Sequence, residues 1–220
     1  MKKVLILACS LLILSAFTIT APKKVIFFGD SITQAGVSPN GYITKLGQIL
    51  EKTGQKDNFE LIGAGIGGNK VYDLYLRLED DVLAKKPDLV IIYIGVNDVW
   101  HKKTSGTGTD ADKFEKFYQA IINKLKANNI SVVLATPAAI GERTDFSNDS
   151  DGDMNQYSNI IRNIAQKNSL KVCDLRKLFL DYNLKNNPEN KEKGILTTDR
   201  VHLNELGNQM VAEAMLNYIK

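Results

Sequence analysis

Apolar residues come along this chain in short unbroken runs, and between those runs they return every three or four positions. Val25–Phe28, Phe59–Ile62, Asp88–Gly95, Ser131–Thr136 and Lys171–Asp174 are rich in Val, Ile and Leu without polar alternation, the pattern of strands covered on both faces. Helical spacing runs over Tyr42–Lys52, Val71–Ala84, Asp110–Asn128, Met154–Asn168, Leu175–Asn186 and Asn204–Ile219. Strand and helix in alternation predict parallel strands joined by crossover helices. The expected fold class is therefore α/β, a three-layer α/β/α sandwich on a five-stranded parallel sheet, without a repeat, a linker or a second domain.

The first residues break the alternation. Lys2 and Lys3 precede a mostly apolar stretch from Val4 to Ile19, followed by Thr20-Ala21-Pro22-Lys23, the layout of a secretory signal peptide. Residues 1–21 are thus expected to be removed on export to the periplasm or the medium, leaving 22–220 as one domain. An uncleaved membrane anchor is the alternative that the length of the apolar run allows. Removal of Lys2 and Lys3 takes no acid with it and lowers the formal charge of the 220-residue chain from +3 to +1. So near neutrality there is no electrostatic case for nucleic acid as a partner. Cys173 is then the one remaining cysteine, lies in an apolar run, and is read as core filling.

Four polar blocks fall at the ends of the apolar runs or between them. Gly29-Asp30-Ser31 follows the first strand, the glycine-rich Gly63–Gly68 the second, Gly95-Val96-Asn97-Asp98 the third, and Asp199-Arg200-Val201-His202 precedes the last helix. In parallel α/β sheets ligands bind outside the carboxyl ends of the strands, so the first three blocks share one edge that the fourth can reach. A serine hydroxyl becomes a useful nucleophile when an imidazole takes its proton and a carboxylate orients that imidazole. With two histidines in the chain, His202, one turn after Asp199, is the candidate base for Ser31. His101, on the loop expected after Asn97, reads as a rim or packing residue. Oxyanion donors are available from the Ser31 amide, from Gly68 and from the Asn97 side chain. Helix capping, a tight turn and a strand-end turn explain Ser31, Gly68 and Asn97 one at a time, but not their joint order.

These blocks resemble those of the SGNH-type hydrolases of the GDSL esterase and lipase superfamily. Gly29-Asp30-Ser31-Ile32-Thr33 is similar to that family's nucleophile block, Ala64–Asn69 to its glycine block, Gly95–Asp98 to its asparagine block and Asp199–His202 to its acid and base block. The resemblance implies the flavodoxin-like arrangement of the sandwich. It also implies Ser31 as nucleophile, His202 as base, Asp199 as orienting acid, and Ser31, Gly68 and Asn97 as the oxyanion hole, with Gly67 the other candidate for the glycine donor. A carboxylic ester hydrolase acting through an acyl-enzyme follows, with no cofactor and no metal. Its substrate is expected to be a short-chain or O-acetyl ester of a carbohydrate or small molecule; a lysophospholipase or a thioesterase is the alternative. Asp30, Trp100, His101 and Arg143 are the candidate substrate contacts, Arg143 for an acidic sugar.

Two other motifs compete. Gly63-Ala64-Gly65-Ile66-Gly67-Gly68 satisfies a dinucleotide fingerprint and would make the chain a nucleotide-binding oxidoreductase, but it follows the second strand rather than the first, and the next strand ends in Gly95-Val96-Asn97-Asp98, well past where a ribose-binding acid about 20 residues on should lie. Asp149, Asp151 and Gly152 fit part of a calcium loop, yet Ser147 and Ser158 occupy its first and last ligand positions. A fold that binds carbohydrate without cleaving it is the third class, and the filled catalytic positions argue against it.

Overall fold

The computed structural model describes residues 21–220. Five parallel strands form the middle layer: β1 (Lys23–Gly29), β2 (Phe59–Gly65), β3 (Leu89–Tyr93), β4 (Ser131–Ala135) and β5 (Lys171–Cys173). Their order is β2-β1-β3-β4-β5, with Phe27 opposite Gly63 on one side and Ile91 on the other. Every residue of β3 is buried, which explains its continuous Leu-Val-Ile-Ile-Tyr run: a strand with helices on both faces has no solvent side to mark with polar residues.

Among the described residues eight α-helices complete the sandwich: α1 (Ser31–Gly36), α2 (Tyr42–Lys52), α3 (Val71–Asp81), α4 (Val96–Thr104), α5 (Ala111–Ala127), α6 (Asp151–Asn168), α7 (Leu175–Asn186) and α8 (Glu205–Ile219). On one face of the sheet α2 packs on α8; on the other α3 packs on α5 and α5 on α6. The register of α5 shows why: Phe114, Tyr118, Ile121, Ile122 and Leu125 recur at helical spacing and are all buried. Phe114 meets Tyr157 of α6 with ring centroids 4.9 Å apart, tying the two helices together. Each such fully buried side chain stabilises the fold by about 1.5–3 kcal/mol.

The sheet edge departs from the sequence expectation in three places. Ser31 opens a six-residue helix, too short to show periodicity, started when the Asp30 carboxylate accepts the Ile32 amide at 3.0 Å. Residues 96–104, expected as a loop after a strand reaching Gly95, form α4; its sequence is mostly polar, and only its first turn is buried. The glycine-rich turn begins later than expected, because β2 continues through Ala64 and Gly65. But for Ala21, the expected leader lies outside the described residues. Among the described residues no helix is long and apolar enough to cross a membrane.

Candidate active site

β1 is flanked by β2 and β3, so chain connections leave it in opposite directions and open a crevice at its carboxyl end. Ser31 stands at that point. As the first residue of α1 its amide has no carbonyl one turn back, which leaves the N–H free to point at a ligand.

Across the crevice, Ser31 Oγ lies 2.9 Å from His202 Nε2, and His202 Nδ1 lies 2.7 Å from Asp199 Oδ2. A carboxylate only accepts, so Nδ1 carries the ring proton and Nε2 is the acceptor for the serine hydroxyl. The other oxygen, Asp199 Oδ1, accepts the amides of His202 at 2.8 Å and Val201 at 3.1 Å. Partial burial works against the charge on Asp199, but the His202 ring and those two amides outweigh it and hold the carboxyl below its ordinary value. The acid is thus ionised, doubly anchored and aimed at one ring nitrogen.

Two further donors lie just beyond the ends of the strands that flank β1. Gly68 has φ +76°, a conformation that favours glycine, at the turn between β2 and α3. The neighbouring Gly67 amide donates to Gln34 Oε1 at 2.9 Å, whereas the Gly68 amide has no acceptor among the described residues. Asn97, in the first turn of α4 and 2% exposed, donates one side-chain N–H to the Asn69 carbonyl at 3.1 Å, fixing the orientation of its amide and leaving its second N–H unused.

A family model for the GDSL-like lipase/acylhydrolases matches residues 27–210 of this sequence. The chain belongs to that family. Within it, this acylhydrolase is similar to an acetylxylan esterase of Geobacillus stearothermophilus, 29% identical across 90% of this chain and 94% of the relative. Its structure matches the crystal structure of the acetyl xylan esterase AlAXEase with a TM-score of 0.88 and 66% identity, over 90% of this chain and all of the other. An alanine mutant of the Geobacillus esterase matches with a TM-score of 0.80 and 27% identity, over 91% and 95%. Related structures of that esterase carry catalytic mutations at a serine, an aspartate and a histidine. Family and relatives make the chain a carboxylic ester hydrolase of the SGNH type.

Of the other substrate-contact candidates, Asp30 is corrected: it is 2% exposed and its Oδ1 accepts the Ile32 amide at 3.0 Å, so it is a buried helix cap and not a residue of the rim. Burial, reinforced by Asp98, pushes its carboxyl up to about 7 against the opposing pull of the Ile32 amide and His202. His101 does reach the site. A Cβ placed on Gly68 would lie 3.9 Å from its ring, and burial, then the Lys70 ammonium, holds the imidazole below its ordinary value. Trp100 packs against the core beside it. Arg143 is solvent-facing and ion-paired to Glu192 at 3.6 Å. Cys173 is buried, and burial, then Asp174, pushes its thiol up to about 12, as suits a core residue.

The competing motifs have other occupations. A Cβ on Gly65 would sit 2.1 Å from the Gln34 amide, so this glycine is there to let α1 lie against β2, and no room for a pyrophosphate remains at that point. In the calcium-like stretch the Asp151 carboxylate is taken by Arg176 at 2.7 Å and by Asn148 at 2.9 Å.

Sequence reasoning missed Gln34 and Arg77. Gln34 lies three residues after Ser31, a helical spacing that would have signalled it had α1 been recognised. Arg77 carries no local signal: from α3 it donates to the Gly29 carbonyl at 2.7 Å, the Ala64 carbonyl at 3.0 Å and Asn69 Oδ1 at 2.7 Å, closing the ends of β1 and β2 near Ser31.

Proposed function

We propose that this enzyme removes acetyl groups from an acetylated polysaccharide, xylan first, after export from the cell. The observation that carries the reaction is the continuous chain from Ser31 Oγ through the His202 ring to Asp199, at 2.9 and 2.7 Å, beside the unpartnered Gly68 amide. The substrate reading rests on relatives named for acetylxylan, one of them 66% identical over its whole length. Export is supported by the leader-like residues 1–21.

In this mechanism Ser31 Oγ forms a bond to the acetyl carbonyl carbon as its proton passes to His202 Nε2. The oxygen that becomes negative is held by the amides of Ser31 and Gly68 and by the free N–H of Asn97. Collapse breaks the bond to the sugar oxygen, which takes the proton from His202. Water then gives a proton to the same nitrogen and its oxygen bonds to the acetyl carbon; collapse breaks the bond to Ser31 Oγ, which takes that proton back from His202 as acetate leaves. Asp199 stabilises the imidazolium at both stages without taking its proton.

Turnover of p-nitrophenyl acetate, butyrate and octanoate, with acetate release from acetylated xylan, tests the proposal beside Ser31→Ala. Acetate is expected to be the fastest ester, polymer deacetylation to occur, and both to vanish in the variant. Activity surviving in Ser31→Ala would sink the nucleophile assignment; a preference for octanoate without release from the polymer would sink the substrate.

A further inference from the structure

Residues Thr198–His202, which carry both the acid and the base, form the tip of a short hairpin. Thr197 bridges Leu203 in antiparallel fashion, the Thr198 amide donates to the His202 carbonyl at 2.8 Å, and the Asn204 amide to the Leu196 carbonyl at 3.0 Å. Within the tip Arg200 has φ +88°, a conformation that non-glycine residues adopt at a cost and that persists only where the surroundings over-determine it. The strands of the sheet lie elsewhere, so the tip needs another support.

That support is Glu142. Glu142 is 1% exposed and among the described residues faces no cation; instead its carboxylate accepts three consecutive amides of the hairpin's first arm, Ile195 at 2.8 Å, Leu196 at 2.6 Å and Thr197 at 2.7 Å. A buried carboxylate without a counter-charge is stable only when donors fill its lone pairs, and here the catalytic hairpin supplies them. The backbone around it is stitched to the same segment. Gly141 donates to the Arg200 carbonyl at 2.9 Å, Glu142 to the Glu192 carbonyl at 2.9 Å, and Asn187 to the Glu142 carbonyl at 2.8 Å.

We infer that Glu142 is a positioning residue for the reaction: by gripping the amides of Ile195–Thr197 it sets where the Asp199–His202 tip stands relative to Ser31. The inference rests on the reading of His202 as the base. Glu142 touches neither substrate nor Ser31 and acts wholly through the hairpin. Replacing the carboxylate by an amide turns one of its acceptors into a donor aimed at a donor, which the hairpin relieves by moving.

The test compares the full chain with Glu142→Gln and Glu142→Asp on p-nitrophenyl acetate, well below both melting temperatures. As a control, Leu78→Ala in the core supplies a loss of melting temperature without touching the site. For Glu142→Gln, kcat is expected to fall about tenfold to hundredfold with KM changed less than about twofold, the scale of misplacing a reacting group by up to an ångström. The acidic limb of kcat/KM is expected to move to lower pH, because a looser Asp199 supports the imidazolium less. Glu142→Asp, which keeps the charge but shortens the reach, is expected to fall between wild type and Glu142→Gln, and it serves alone if the glutamine variant does not fold. Unchanged kcat in the soluble Glu142 variants, or an equal fall in Leu78→Ala, would overturn the inference. If Ser31→Ala is inactive while the Glu142 variants keep full kcat, this inference fails and the proposed function stands; if Ser31→Ala keeps its activity, the proposed function fails first.

Discussion

The two sides of the active site are built in different ways. Ser31, Gly68 and Asn97 each follow a strand closely, after β1, β2 and β3, so the main-chain packing of the sheet and its helices sets their positions. Asp199 and His202 lie on the irregular stretch between α7 and α8, where no strand underlies them, and their hairpin is held by side chains that accept main-chain amides, above all Glu142, which takes those of Ile195–Thr197, 53 to 55 residues away in sequence. Ser31, Gly68 and Asn97 therefore inherit the rigidity of the fold, whereas Asp199 and His202 depend on a few individual side chains. Damage to the residues that support the first side should appear as changed stability, and damage to those that support the second as lost rate.

The sharpest break on the second side is Asp199→Asn. The amide oxygen still accepts from His202 N and Val201 N, but the new N–H₂ faces His202 Nδ1 and forces the ring proton onto Nε2, where it opposes the Ser31 hydroxyl. The fold is expected to be unaffected and kcat on p-nitrophenyl acetate to fall by about 10⁴-fold, the scale of such replacements in serine hydrolases. A loss smaller than tenfold would mean that another group orients His202.

The same division explains what could be read from the sequence. All five strands and the long helices were legible because burial on both faces of a sheet, or on one face of a helix, writes a period into the chain. The ends of the strands could be placed because parallel sheets put ligands there, and the glycine and Asp-x-x-His spacings are local. Helix α1 was missed for its length and α4 for its polar composition, while Asp30 looked available because a helix-capping role cannot be seen until the helix is. Glu142 and Arg77 were illegible for a different reason: the amides that Glu142 accepts and the Gly29 and Ala64 carbonyls that Arg77 reaches are main-chain groups of other segments, and a main-chain group leaves no trace in side-chain identity.

On the first side the expected signature is thermodynamic. Burial pushes the Asp30 carboxyl up to about 7 and that of Asp98 to about 6, against an ordinary value of 3.8. Between pH 4 and 7 the folded chain thus holds protons that the unfolded chain has released, so this contribution to stability is complete below about pH 4 and is lost as pH rises through the folded values. For Asp30 the loss is on the order of 4 kcal/mol. Asp30→Asn keeps an acceptor for the Ile32 amide but cannot ionise; in urea melts its gain over wild type should be much larger at pH 8 than at pH 4.5. An equal difference at both pH values would show that Asp30 stays ionised in the folded chain.

The smallest effect belongs to the rim of the second side. Arg143 and Glu192 are about 40% exposed and 3.6 Å apart, while Glu192 also holds Arg200 at 2.8 Å. Exposed pairs of this kind contribute about 0–1 kcal/mol, so Arg143→Ala should leave the melt within a degree or two of wild type and p-nitrophenyl acetate turnover unchanged. Its cation would be missed only by a polymer carrying acidic sugars, where acetate release is expected to fall by a few-fold while release from a neutral acetylated polymer holds. Loss on every substrate alike would give Arg143 a different part: by sharing Glu192 it would be steadying Arg200 at its strained turn, and the rim would belong to the same support that Glu142 gives from below.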